Sequence, residues 1–182
     1  ICARNKMTQE TEIENINENQ DVDIDENNMN QYLTFKIENE EYGINLKKIR
    51  EIKGWNETTR LPNSPNYTKG VINLRGAVIP VYDLKNKFQI GETKTTEKHV
   101  VIMVNIADRL VGILVDSVSD IVNANESEIK SAPHIKNKIN DEYVNGLLGI
   151  ENKMIVILNV ETLFAPKKEV NDANANLETI IN

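Results

Sequence analysis

At 182 residues, with 40% apolar and 5% aromatic side chains, the chain has room for one ordinary domain or for two small ones sharing a core. Its net charge of −7 argues against the basic stripe that a nucleic-acid backbone or an anionic membrane surface requires. No apolar run approaches the roughly 20 residues needed to cross a bilayer. No signal peptide is expected, and the lone Cys2 has no internal disulfide partner, so the cytoplasm is the expected compartment.

Most of the charge sits at the N-terminus. Residues 1–30 hold eight acids (Glu10, Glu12, Glu14, Glu18, Asp21, Asp23, Asp25 and Glu26) against Arg4 and Lys6, which accounts for −6 of the −7. Residues 1–6, ahead of Met7, are set aside. A disordered acidic tail over residues 1–29 is expected, because so little apolar surface cannot offset the entropy of ordering. Within it, Asp21, Asp23 and Asp25 mimic the start of a calcium loop. Glu26 and Tyr32 stand where such a loop needs Gly and Glu, so a solvated tail is the better reading.

The body, residues 30–165, reads as β. In "YLTFKI", Leu33, Phe35 and Ile37 alternate with Tyr32, Thr34 and Lys36, the period of a half-buried strand. "NEEYG" (39–43) supplies a turn, after which "INL" resumes the alternation. "NSPNYTKG" (63–70) reads as a short helix, with Ser64 as cap, Pro65 in the first turn and Gly70 at the end. "DLKNKF" (83–88) and "NVETLF" (159–164) also open on capping side chains and predict one or two helical turns each. "VVIMV" (100–104), "LVGILV" (110–115) and "MIVIL" (154–158) are β-branched runs of strand length. From Pro166 to Asn182 a flexible polar tail is expected.

The chain repeats itself. "GVINLRGAVIPVYDLKNKF" (70–88) lies over "GLLGIENKMIVILNVETLF" (146–164) without a gap, matching Gly70 to Gly146, Ile79 to Ile155, Asp83 to Asn159 and Phe88 to Phe164. Upstream, "GINLKKIREI" (43–52) lies over "GILVDSVSDI" (112–121). The copies run from about 32 to 92 and from about 98 to 164. Each copy, about 60 residues, is marginal for a core of its own, so two small β-barrels packed face to face are expected. Strand exchange between them stays open. Ile113 and Val115 are expected to face inward as Ile44 and Leu46 do, in one of two equivalent cores. Both copies turn at the same place, "LRGAV" and "IENKM", where Gly76 and Asn152 suit a positive φ. The turn accounts for Gly76 and leaves Arg75 open between a solvated turn residue and a binding residue.

"YGINLKKIREI", "LPNSPNYTKGVINLRGAVIPVYDLKNKF", "VGILVDSVSDIV" and "IVILNVETLF" together resemble the CheW family, the coupling proteins of bacterial chemotaxis. The resemblance runs from about Tyr32 to Phe164. It implies two SH3-like five-stranded barrels around a common apolar core, with few short helices. It also implies a non-enzymatic adaptor between methyl-accepting receptors and the histidine kinase CheA, monomeric when isolated. Such an adaptor needs no cofactor or metal, binds no nucleic acid and does not insert into the membrane, but is recruited to receptor clusters at its inner face. The family's receptor groove lies between the subdomains. It carries over to Ile49, Glu51, Asn73, Leu74, Arg75 and Gly76, with Val118 and Ile121 opposite them from the second copy. The kinase side maps to the first subdomain, toward the kinase's regulatory domain, with no residue assigned.

Catalysis has little to stand on. His99 opens a strand and His134 lies in a polar loop, neither near a cysteine. Asp116 and Asp120 read as solvated strand-end carboxylates, and "NLRGAV" lacks the pattern of a phosphate-binding loop. The alternative to an adaptor is a small-ligand-binding double barrel, since paired barrels leave a groove.

Overall fold

The computed structural model describes residues 29–132 and 139–165. The acidic tail, the Asp21–Asp25 motif, His134 and the C-terminal tail lie outside these residues. Ten strands follow in order: β1 (Met29–Ile37), β2 (Glu40–Asn45), β3 (Ile49–Gly54), β4 (Thr68–Leu74), β5 (Ala77–Asp83), β6 (Val100–Ile106), β7 (Arg109–Val115), β8 (Ser117–Asn125), β9 (Val144–Ile150) and β10 (Lys153–Leu158). Two one-turn helices, α1 (Leu84–Lys87) and α2 (Val160–Leu163), follow β5 and β10. Asp83 caps α1 by accepting from the Asn86 N–H, and Asn159 caps α2 by accepting from Glu161 and Thr162, as the matched sequences imply.

The strands form two five-stranded sheets, β8-β1-β2-β10-β9 and β3-β6-β7-β5-β4. Replacing each strand by its repeat partner turns one order into the other. Each copy therefore spreads over both sheets: β1 and β2 join the last three strands of the chain, and β6 and β7 join β3, β4 and β5. Each sheet curls until the chain leaving one edge strand bridges to the other edge, Thr59 to Val71 in one and Lys130 to Leu147 in the other. Gly43 and Gly112 mark the tight point of each sheet. A Cβ on Gly43 would come within 2.8 Å of Ile157, and one on Gly112 within 2.9 Å of Val101 and 3.1 Å of Val81. Gly43 pairs with Ile157 and Gly112 with Val81 in the parallel ladders, at matched places in the repeat.

Three apolar clusters hold this together. Tyr32, Ala124, Leu148, Ile155 and Ile157 fill one barrel, and Ile79, Val81, Val101, Met103 and Leu114 fill the other. Between the barrels lies a larger shared cluster fed by both sheets and both helices. Leu33, Phe35, Ile37 and Ile44 enter from one side, Ile102, Val104, Ile106 and Ile113 from the other, and Phe88 and Phe164 from the helix ends. Ile44, Ile113 and Val115 therefore share one core rather than occupying two equivalent ones. Leu46 is only partly buried, because the chain leaves β2 at Asn45 and enters a 3-10 turn.

The shared core also explains where simple alternation fails. Tyr32 and Thr34 are buried, not solvent-facing, because β1 is covered on both faces. Tyr32 fills its own barrel, while the Thr34 hydroxyl exchanges 3.1 Å hydrogen bonds with the backbone of Asp120 across a bulge. The β6 run "VVIMV" is apolar throughout for the same reason. Other expectations shift locally. β1 begins at Met29, one residue inside the expected tail, and the first turn is Glu38–Asn39, with Glu40–Gly43 already in β2. Residues 63–70 hold no helix. The Ser64 hydroxyl donates back to the Leu61 carbonyl, and Thr68 closes a turn onto Pro65 and enters β4.

Candidate functional site

The sequence-expected site centres on the β4–β5 hairpin. Leu74 pairs with Ala77, so the connection is the two residues Arg75 and Gly76. Both have positive φ, 54° and 89°, the pattern of a type I′ turn that follows the twist of its strands. Gly76 adopts this freely, whereas Arg75 holds a left-handed backbone that costs an ordinary residue about 1–2 kcal/mol. In the second copy the positive φ falls on Glu151, at 52°, and not on Asn152. That corrects the expectation for Asn152. Glu38 and Ala107 open two further two-residue hairpins with positive φ, so left-handed geometry alone does not single out Arg75.

Its surroundings do. The Arg75 guanidinium reaches Glu51 on β3, Nη2 to Oε2 at 3.4 Å. The Arg75 side chain is 76% exposed, against 22% for Glu51. The other Glu51 oxygen faces Lys53 Nζ at 3.7 Å. β3 and β4 are the two edges of their sheet, so this ion pair spans the gap between edges that share no ladder. Ile49 lies one bulge upstream of Glu51, with Arg50 as the extra residue, and leans on the shared core. Asn73 accepts the Gly76 N–H at 2.9 Å, and Leu74 packs against the cluster inside its barrel. The structure thus brings Glu51, Asn73, Leu74, Arg75 and Gly76 together.

Val118 and Ile121 lie on β8, an edge strand of the other sheet. Val118 leans on the shared core, as Ile49 does from its own sheet, and Ile121 is 48% exposed. Neither makes a hydrogen bond or ion pair to the Arg75 side chain among the described residues. Lys53 was missed in the sequence, although its place two residues after Glu51 on one strand face was the available signal. Beside this region a cleft of about 230 Å³ is lined by Lys53, Asn56, Thr59, Val71, Asn73 and Met103. A broader depression of about 850 Å³ runs past Tyr67, Val78, Tyr82, Arg109 and Phe164.

The remaining polar side chains are structural ties. Buried Asp83 accepts from the Thr93 N–H at 2.8 Å and the Thr93 hydroxyl at 2.7 Å, and Lys69 Nζ stands 3.5 Å away. His99, just ahead of β6, accepts the Thr96 N–H at Nδ1 (3.0 Å), and its Nε2 lies 3.5 Å from Asp116. The other Asp116 oxygen accepts the Glu38 N–H at 2.6 Å, and Asp120 accepts its neighbour's N–H at 2.7 Å. His99 and Asp116 therefore cross-brace strand ends, with the Thr96 hydroxyl also 3.0 Å from His99 Nδ1. Among the described residues no cluster of His, Cys, Asp and Glu is arranged to hold a metal ion, and no helix is long and apolar enough to cross a membrane.

The fold is a pair of fused β-barrels that carries a charged hairpin tip between sheet edges. The model of the CheW-like domain matches residues 31–168. The chain is 38% identical over 138 residues to the chemotaxis protein CheW of Klebsiella aerogenes, covering 76% of this chain and 83% of that one. It is 36% identical over 137 residues to the chemotaxis protein CheW of Rhizobium meliloti, covering 75% and 88%. The crystal structure of the scaffolding protein TtCheW from Thermoanaerobacter tengcongensis superposes with a TM-score of 0.70 at 30% identity, covering 76% of this chain and 89% of that one. The chain belongs to the CheW family and is a chemotaxis adaptor.

Proposed function

We propose that this adaptor bridges methyl-accepting chemoreceptors to the histidine kinase CheA, without catalysis of its own, so that receptor state controls autophosphorylation. The receptor surface centres on Arg75 at the hairpin tip, with Glu51, Asn73, Leu74 and Gly76 holding that tip, flanked by Ile49, and with Val118 and Ile121 supplied by the other sheet. The observation that carries this reading is Arg75. Its guanidinium stands largely in solvent on a two-residue turn, steered among the described residues by the Glu51 carboxylate. An arginine with most of its N–H donors unused suits a partner's acceptor groups better than it suits folding. The kinase's regulatory domain engages another part of the surface. The protein acts in the cytoplasm, monomeric until recruited to receptor clusters at the inner face of the membrane.

The test is CheA autophosphorylation in the presence of receptor-containing membranes, with and without this protein. Addition should make kinase activity responsive to receptor ligand. Arg75→Glu should abolish that response, while kinase binding and the melting curve stay near wild type. A kinase response to receptor ligand that is unaffected by adding the protein refutes the reading.

A further inference from the structure

We infer that Asn73 is the positioning residue for Arg75: its carboxamide oxygen locks the turn that aims the guanidinium, and its side chain does not itself contact the partner. The inference rests on the reading of Arg75 as the receptor contact. Asn73 Oδ1 accepts the Gly76 N–H at 2.9 Å, closing a local ring around the turn from its own strand end. The same turn holds both central residues at positive φ, 54° at Arg75 and 89° at Gly76.

Two other hairpins in the chain serve as internal comparisons. In the second copy Gly149 stands where Asn73 does and has no side chain to offer; there Glu151 alone has positive φ, at 52°. In the β6–β7 turn Asn105 occupies the matching place before Ala107 and Asp108. It makes no such bond among the described residues, and Ala107 alone has positive φ, at 51°. In these three turns the side-chain lock and the doubly left-handed backbone occur together only at 73–76. This matters for Arg75 because its side chain is 76% exposed and, among the described residues, has one ionic contact, at 3.4 Å. With so little packing around it, the direction of the guanidinium follows from the backbone beneath it.

A direct contact by Asn73 would use its NH2 donors, whereas the lock uses only its oxygen. Aspartate keeps the oxygen and loses the donors; alanine loses both. The experiment measures affinity for receptor-containing membranes by co-sedimentation, using the full chain, for Asn73→Ala, Asn73→Asp, Arg75→Ala and the double alanine variant. Hydrogen exchange at the Gly76 amide is followed in the wild type and both single Asn73 variants. Asn73→Ala should weaken binding about fivefold, the scale of one hydrogen bond, and speed Gly76 exchange. Asn73→Asp should stay within about twofold of wild type in both readouts. On the Arg75→Ala background, Asn73→Ala should cost less than about twofold more, as a residue acting only through Arg75 must.

Aspartate as damaging as alanine to affinity, with Gly76 exchange still slow, makes Asn73 a direct contact and overturns the inference. An equal cost of Asn73→Ala on both backgrounds overturns it too. Arg75→Ala within about twofold of wild type removes the receptor reading instead, which no Asn73 variant is needed to see. The lock is then judged by exchange alone, and unchanged Gly76 exchange in Asn73→Ala refutes it.

Discussion

Ile113→Ala tests whether the two barrels share one core. Ile113 is fully buried in the middle of β7, paired with Ile102 on one side and Tyr82 on the other, and it belongs to the cluster between the sheets. The substitution removes three carbons, at about 0.8 kcal/mol of lost transfer energy each. If the site does not collapse, those carbons leave about 75 Å³ empty, and at roughly 24 cal/mol per Å³ this adds about 1.8 kcal/mol. The expected loss is thus about 4 kcal/mol, with about 2 as the floor if neighbours relax. A second expectation follows from the topology. Each sheet contains strands from both copies, and Ile113 touches the core of both, so the barrels should unfold as one unit. Urea titration reads this in two ways. The single tryptophan, Trp55, packs against the interior of one barrel and reports locally, while far-UV circular dichroism reports both sheets. The two transitions should coincide in the wild type and shift together in the variant. A loss below about 1 kcal/mol, or two separated transitions, refutes the shared core.

Arg75→Ala should lower folding stability by no more than about 1 kcal/mol, since an exposed ion pair contributes about 0.2–1. If it is the anchor proposed above, it should weaken receptor binding about 30-fold, equivalent to about 2 kcal/mol; a stability loss with unchanged affinity would return Arg75 to a turn role. Deleting residues 1–28 should leave the melting curve and the kinase coupling unchanged, and a midpoint lowered by several degrees would show that this segment docks on the body. Burial pushes the Tyr42 hydroxyl up from 10.0 to about 12, with Glu40 and Glu38 adding to it. A pKa raised in the folded state means that this contribution is complete below pH 10 and is lost as pH rises through about 12. That rise corresponds to about 2–3 kcal/mol, and Lys85, held up chiefly by its hydrogen bond to Glu38, acts in the same direction. Tyr42→Phe should therefore flatten the fall of the urea midpoint between these pH values, and an unchanged slope would refute the assignment.

The β class, the two capped helical turns and the double repeat could be read directly because each rests on local chemistry. Asp83 and Asn159 are short side chains that accept from the next turn wherever they stand, and a strand's apolar period needs no knowledge of its partners. The errors have a common cause in non-local pairing. Nothing within "YLTFKI" says that a second sheet covers its far side, so Tyr32 and Thr34 read as outward. "NSPNYTKG" has helix-capping chemistry, but β5 claims Thr68–Gly70 for a ladder, and one helical turn cannot compete with that. The strand exchange was illegible for the same reason: β5–β7 and β10–β2 are parallel contacts between segments far apart in the chain, fixed by the close approach at Gly112 and Gly43.

The site was legible to a different depth. The motif grouped Glu51 with Arg75, and the two do meet, yet it was silent on which residue holds the strain. Comparison of the copies separates what the fold needs from what is added to it. Gly43 and Gly112, Phe88 and Phe164, and the capping pair Asp83 and Asn159 serve the same structural ends in both halves, so the fold accounts for them. At the hairpin tip the halves diverge: Asn73, Arg75 and Gly76 stand against Gly149, Glu151 and Asn152. Both tips close a two-residue turn, so turn formation does not require the first set. An arginine aimed outward and tied back to a partly buried glutamate is what remains when the requirements common to both halves are removed. That remainder is where an interaction specific to one half of the molecule has to be sought.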